Sequence, residues 1–291
     1  MIILNHGRRL LCVLAWVAGL LAADAYAQAR PPTDAALGQL IERLTDRRSD
    51  DLIPEQRPDG SVRVDLKGRF QQAPLARFID DDLALVQCVS SVEEADVFFG
   101  RDLRSGAALT PAQTAQHEAL VEAARRHGMS VPEYQFYGDL IEQALPAQLA
   151  LAGATLTIVN NDGAGEGFNS AAPQILPAPG NDANANLGAQ RLALFNAAAA
   201  FWGAFLDSSV TIEVRSQFDP LSPCSSSGGV LGAAGTIYVH SDFPNAEFTN
   251  TYYHEALANK QAGADLWPEP DIDATFNSSV DTGCLGAGSH F

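Results

Sequence analysis

Apolar residues recur along this chain at two spacings, and the spacing changes wherever glycine, proline or a run of acidic residues interrupts it. Asp34 can cap a run in which Leu37, Leu40, Ile41 and Leu44 share one helical face, and Pro54 to Gly60 then breaks the pattern. Val62, Val64 and Leu66 alternate with Arg63, Asp65 and Lys67, which predicts a strand. Phe78 and Ile79 lead into the acidic turn Asp80-Asp81-Asp82, and a second apolar run over 83–89 completes a hairpin-like unit. Ser91 with Glu94 three residues on predicts a capping box that opens a short helix through Phe98 and Phe99. Thr110-Pro111 predicts another helix, ending near Gly128 after Arg125, Arg126 and His127, where positive side chains suit the helix dipole. A third helical stretch is expected after Pro132.

The composition shifts near residue 150. Residues 153–160 alternate as a strand, and a loop rich in Gly, Asn and Asp follows over 160–169. Residues 172–188 are rich in Pro, Gly, Asn and Ala and predict a long surface loop. Residues 187–206 predict the strongest helix of the chain. Leu194, Ala198, Phe201 and Phe205 form one stripe, with Phe195, Trp202 and Leu206 beside it, a wide apolar face suited to packing on a sheet. Strands are expected over 210–214, 235–241 and 272–276, with a helical turn at about 251–262. The expected class is α+β: a small α+β module over 28–150, then a second unit over 151–291.

The first residues change the picture of where the protein works. Arg8 and Arg9, an apolar stretch over 10–23 and the small-x-small site Ala25-Tyr26-Ala27 have the order of a cleavable secretory signal peptide. That stretch is shorter than the roughly 20 residues a membrane helix needs. The expectation is a secreted or periplasmic protein, cut after Ala27 and free of the membrane afterwards. A formal net charge of −17 repels polyanions and excludes nucleic acid as a partner. Cys12 leaves with the leader, so Cys88, Cys224 and Cys284 remain for an oxidising compartment, and one of the three is left over.

Candidate chemistry is sparse. A zinc-binding H-E-x-x-H helix needs two histidines four residues apart. His117-Glu118 is followed at that spacing by Val121, and His254-Glu255 by Ala258. The first is expected on a solvated helix face, the second in a capping or packing role. His240 alternates on a strand and could face solvent, and His290 stands next to the last residue. No G-x-S-x-G elbow occurs, and Cys88 lacks the surroundings of a thiol protease. In the loop 160–169, Asp162 and Glu166 are candidate calcium ligands, although Ala164 stands where an EF-hand needs oxygen. The competing reading is a glycine-rich turn that lets the chain leave a strand.

From Thr155 onward, several strings are specific enough to suggest a relationship. They are the run 158–169, Leu187-Gly188-Ala189-Gln190-Arg191 leading to Trp202-Gly203-Ala204, Phe218-Asp219-Pro220-Leu221, Ala256-Leu257-Ala258-Asn259-Lys260 and Phe276-Asn277-Ser278. This segment resembles the opening of the catalytic module of secreted bacterial zincin-type metallopeptidases. The resemblance implies an incomplete zincin-like mixed sheet with one long packed helix. It also implies that 28–150 is a propiece or accessory module, and that an H-E-x-x-H helix follows these elements. Zinc and a protein or peptide substrate would belong to such a full-length enzyme, and this chain alone is expected to be inactive. A non-enzymatic secreted binding or inhibitory protein retaining part of a peptidase fold is the alternative. Cys224 and Cys284 both lie in the zincin-like half, each in a loop just after a strand, and are expected to pair. Closing a loop of that size contributes about 4 kcal/mol in the chain-entropy picture. Cys88 is then the expected free thiol, a buried strand cysteine or, in a propiece, a zinc-held switch.

Overall fold

The computed structural model describes residues 34–80, 83–127, 153–174, 185–226 and 228–285. The leader, the stretch after Pro132 and His290 lie outside the described residues. Helix α1, Asp34–Leu44, buries Leu37, Leu40 and Ile41 on the face their spacing predicts. Strand β1 is Glu55–Gln56 and β2 is Val62–Asp65. Strands β3, Ala73–Asp80, and β4, Leu83–Val89, pair antiparallel as the expected hairpin. Helix α2, Val92–Phe99, has the predicted Ser91 cap, whose side chain accepts from the Glu94 amide at 3.2 Å. The Glu94 carboxylate reaches back one residue further than a standard capping box, to the Ser90 amide at 2.7 Å. Helix α3, Pro111–His127, is opened by Thr110, which exchanges side-chain and backbone bonds with Gln113.

Strand β5, Leu156–Asn160, leads through a short 3₁₀ turn at Gly167–Asn169 to helix α4, Leu187–Gly203. After it come β6 (Ile212–Asp219), β7 (Cys224–Ser225), β8 (Gly228–Val230), β9 (Gly232–Thr236), β10 (Tyr238–Ser241), β11 (Tyr253–His254), α5 (Glu255–Ala262) and β12 (Ile272–Asn277). The single strand expected over 235–241 divides at Ile237, because the chain changes sheets there. The Ile237 amide donates to Asp271 O, and its carbonyl accepts from the Leu66 amide.

The strands form three four-stranded sheets. The central one has the order β5-β6-β12-β9, with β5, β6 and β12 mutually parallel and β9 antiparallel at the edge. The other two have the orders β1-β2-β10-β11 and β4-β3-β8-β7. Both unite strands from before and after residue 150: Val62 pairs with Ser241, and Leu75 with Val230. The change of composition near 150 is therefore not a break in sheet pairing. Mixed sheets with helices on their faces make this an α+β fold, as expected.

Two apolar cores result. One joins α1, α2 and the hairpin through Leu40, Ile41, Leu75, Val89 and Phe98. The other is aromatic and fills the space between α4 and the central sheet. Phe195 lies 4.6 Å from Phe276 and 4.9 Å from Phe168 between ring centroids, and Phe168 lies 5.2 Å from Phe218. Each buried ring contributes about 1.5–3 kcal/mol of transfer free energy, and the edge-to-face contacts add to it.

Helix α4 corrects the expected stripe. Arg191, Phe195, Ala198 and Ala199 are buried, whereas Phe205 lies beyond the helix and is 62% exposed. The sequence is apolar nearly all the way round, so spacing alone did not single out the buried face. Close approach decides it. Cβ atoms at Gly188 and Gly203 would collide with Phe168 O and Ala154 O, so the helix seats where its residues are smallest.

Candidate functional site

The loop 160–169 closes on its own backbone. Asp162 accepts from the Phe168 amide through Oδ2 and from the Phe218 amide through Oδ1, both at 2.6 Å, and so ties the loop to β6. Glu166 Oε1 accepts from the Gly163 amide at 2.8 Å. Asn169 Nδ2 donates to the carbonyls of Asp162 and Gly163 at 2.8 and 3.0 Å. Gly167 has a φ of +49°, and a Cβ there would run into the Asp162 carboxylate. The two candidate calcium ligands thus serve as acceptors for amides, in the geometry of a clasped turn. Arg191, 4% exposed, reinforces it from α4. It donates to Gly167 O at 3.1 Å, pairs with Asp281 and stands over the Phe218 ring at 4.4 Å. Sequence reading missed this arginine because it sits inside an apolar helix.

Cys224 and Cys284 form the expected disulfide, with Cα atoms 5.4 Å apart. It joins β7 to the turn after β12, whose parallel alignment with β6 brings the two following segments to one edge. Cys88 corrects the expectation of a free thiol: it is disulfide-bonded too, and no described cysteine is free.

The near misses separate cleanly. His117 is not on a solvated face. Its Nδ1 donates to Val97 O at 2.7 Å, and its ring fills the space a side chain at Gly100 would need, so it locks α3 to α2. His254 occupies the N-cap position of α5 but makes no side-chain cap bond. Among the described residues, no group of three or more His, Cys, Asp or Glu side chains is placed to hold a metal ion.

A small cleft runs along the central sheet beside α4. Ile158, Val214 and Ala274 form its floor, Phe195 and Ala198 one wall, and Pro74 and Cys88 the other. Its lining is almost entirely apolar. Helix α4 and the β3–β4 hairpin cover this sheet face together, and the cleft lies between them.

A second arrangement was not expected. His240, on β10, and Glu255, the first residue of α5, are both fully buried, with Nε2 and Oε1 3.6 Å apart. Neither side chain has a hydrogen-bond partner among the described residues. Burial lowers His240 to about 4, with Arg57 and Arg63 pushing the same way. Burial raises Glu255 to about 9, with Asp271 and Asp265 adding repulsion. Both shifts favour the neutral forms. Next to the pair, Asp271 shows how a buried acid is ordinarily accommodated: it accepts from the Glu213 amide at 2.7 Å and from Asn259 Nδ2 at 2.8 Å. Arg63 closes the neighbourhood, stacked 3.3 Å from the Trp267 ring centroid and paired with Glu55. The sequence signal for Glu255 was the adjacent His254, which turned out to be the wrong histidine.

No known protein family, no curated protein and no solved structure matches this chain. Among the described residues, no helix is long and apolar enough to cross a membrane.

Proposed function

We propose that this chain is the exported N-terminal portion of a zincin-like zinc metallopeptidase, and that it is inactive by itself. The observation that carries the reading is the central sheet. Three parallel strands and one antiparallel edge strand present an apolar face under α4 and the β3–β4 hairpin, with an apolar cleft between the two beside Phe195 and Ala198. An apolar cleft of this kind is closed by a further layer, and in the proposed enzyme that layer is the helix bearing H-E-x-x-H. The strings after Thr155 support the same reading, and the disulfide fits an oxidising compartment outside the cytoplasm.

The residues present do not fit a catalytic zinc. His117 is occupied by Val97 O, His254 has Ala258 four residues on, and the described residues contain no three-ligand cluster. No hydrolytic step is therefore assigned to them, and Asp162 and Glu166 are assigned to the turn. The purified chain should hold no stoichiometric zinc and cut no protein substrate. The deciding observation is the coding DNA beyond the codon for Phe291. An H-E-x-x-H within a few dozen codons is the expected result. An immediate stop codon would sink the reading and favour a secreted binding protein that uses the apolar cleft.

A further inference from the structure

The segment that carries Glu255 sits at one edge of the fold, held there by Asn259, whose Nδ2 donates to Asp271 at 2.8 Å, and by the Glu255 amide, which donates to Thr236 Oγ1 at 3.3 Å. β11 is two residues long and sits at the edge of its sheet, with Val239 opposite His254 and His240 opposite Tyr253. α5 adds a small core around Phe243, Tyr253 and Ala258. Beneath this edge lie His240 and Glu255, one on each side of the contact between β10 and the segment.

Their chemistry depends on how many protons they hold. With one proton between them, a carboxylic acid faces an imidazole or a carboxylate faces an imidazolium, and either way the pair is neutral overall. With none, a bare carboxylate is left in the interior. The surrounding groups do not neutralise it well. Asp271, Asp265 and Glu269 lie on its own side, from the loop after α5. Arg63 of β2 is the compensating charge, but it is already engaged by Glu55 and Trp267. Arg57, the other nearby cation, donates to Leu266 O. Burial pushes the Tyr238 phenol up, and Thr236 Oγ1 accepts from the Glu255 backbone amide at 3.3 Å. A buried unpaired charge is relieved most cheaply by exposing it, and a two-residue edge strand with one short helix is the smallest unit whose movement would do so.

We propose that His240 and Glu255 form a one-proton latch: while they share a single proton the segment 253–262 stays seated on β10, and loss of that proton in alkaline solution unseats it while the central sheet stays folded. Among the described residues the other buried acids, Asp96 and Asp271, accept from the backbone amides of Leu103 and Glu213.

Amide hydrogen exchange on the purified full chain, corrected for intrinsic rates and followed from about pH 7 to about pH 10, tests the proposal. Protection of α5 amides should fall steeply above about pH 7, approaching tenfold per pH unit while the seated pair still holds the proton that opening releases, and β6 and β12 amides should keep theirs. Glu255→Gln should abolish this selective loss. Should that variant fail to fold, infrared spectra of the wild type keep the test open. The band of a protonated carboxylic acid should be present at neutral pH, persist while α5 protection begins to fall, and disappear only at the alkaline end of the range, where the seated pair itself loses its proton. Loss of protection in α5 that merely parallels β6 and β12 would overturn the latch. So would an unchanged α5 slope in Glu255→Gln, or the absence of the carboxylic acid band at neutral pH.

Discussion

Asp162 and Glu255 are both carboxylates that the fold takes away from bulk water, and the two are treated in opposite ways. Asp162 meets two backbone amides at 2.6 Å, so its charge is solvated by the protein itself and the turn 160–169 is held to β6. Glu255 meets only a histidine at 3.6 Å, and its charged form has little to replace water. The first arrangement converts a charge into rigidity. The second leaves a charge that the interior tolerates only while a proton cancels it. An acid in the interior is thus a structural pin or a titrating element according to how many amides face it, and residue type alone does not say which.

The largest expected effect breaks the pinned side without touching a carboxylate. Replacing Cys224 and Cys284 together by serine should cost about 4 kcal/mol in denaturant unfolding, the chain-entropy value for a closed loop of this size. Asp162→Ala attacks the same side directly. It leaves the Phe168 and Phe218 amides without their acceptor and should cost about 3 kcal/mol. A loss below about 1 kcal/mol would show that the turn holds without its clasp.

The third prediction concerns the other carboxylate. With Glu255 near 9 and His240 near 4 in the native state, the folded pair holds one proton from about pH 4 to about pH 9. Unfolded, the two have ordinary values of about 4.3 and 6.5. Between those values the unfolded chain also holds one proton, so stability is independent of pH from this source. Above about 6.5 the unfolded chain holds none while the native pair keeps its one, so stability falls as pH rises. The slope should be on the order of 1 kcal/mol per pH unit up to about pH 9. Glu255→Gln should flatten this decline in thermal melts and be the more stable protein at the alkaline end. A wild type whose stability rises over that window would contradict the neutral pair. The smallest effect belongs to Glu166→Ala, which removes one exposed acceptor from the Gly163 amide and should cost about 0.5–1 kcal/mol in the same denaturant assay.

Much of this architecture was legible in the chain because local signals agree with it. The Ser91 cap, Pro111 at a helix start and the alternation at Val62 and Val64 each depend on neighbours within a few residues, and each appears where expected. What failed to show was set by contacts distant in sequence. Ile237 divides a strand because Asp271 and Leu66 bind it from two sheets. His240 looks like any alternating strand residue, and only the seating of α5 on β10 buries it against Glu255. His117 became a lock between helices because Gly100 left room for its ring. The pairing of Cys224 with Cys284 was accessible from sequence because both follow strands that, as neighbours, carry the following loops to one edge.

The sharing of two sheets between early and late strands governs how this chain must reach its fold. Val62 waits for Ser241 and Leu75 for Val230, so β2 and β3 are made long before the strands that complete their sheets. At synthesis rates of about 5–20 residues per second that interval is on the order of ten seconds. Throughout it, the β3–β4 hairpin presents an apolar face and an open edge, the surfaces that draw chains into aggregates. High contact order also makes the final closure slow. The nascent chain therefore gains little from folding as it emerges, and a binding partner that holds the early strands apart until residue 241 has appeared would raise its yield more than any single stabilising substitution.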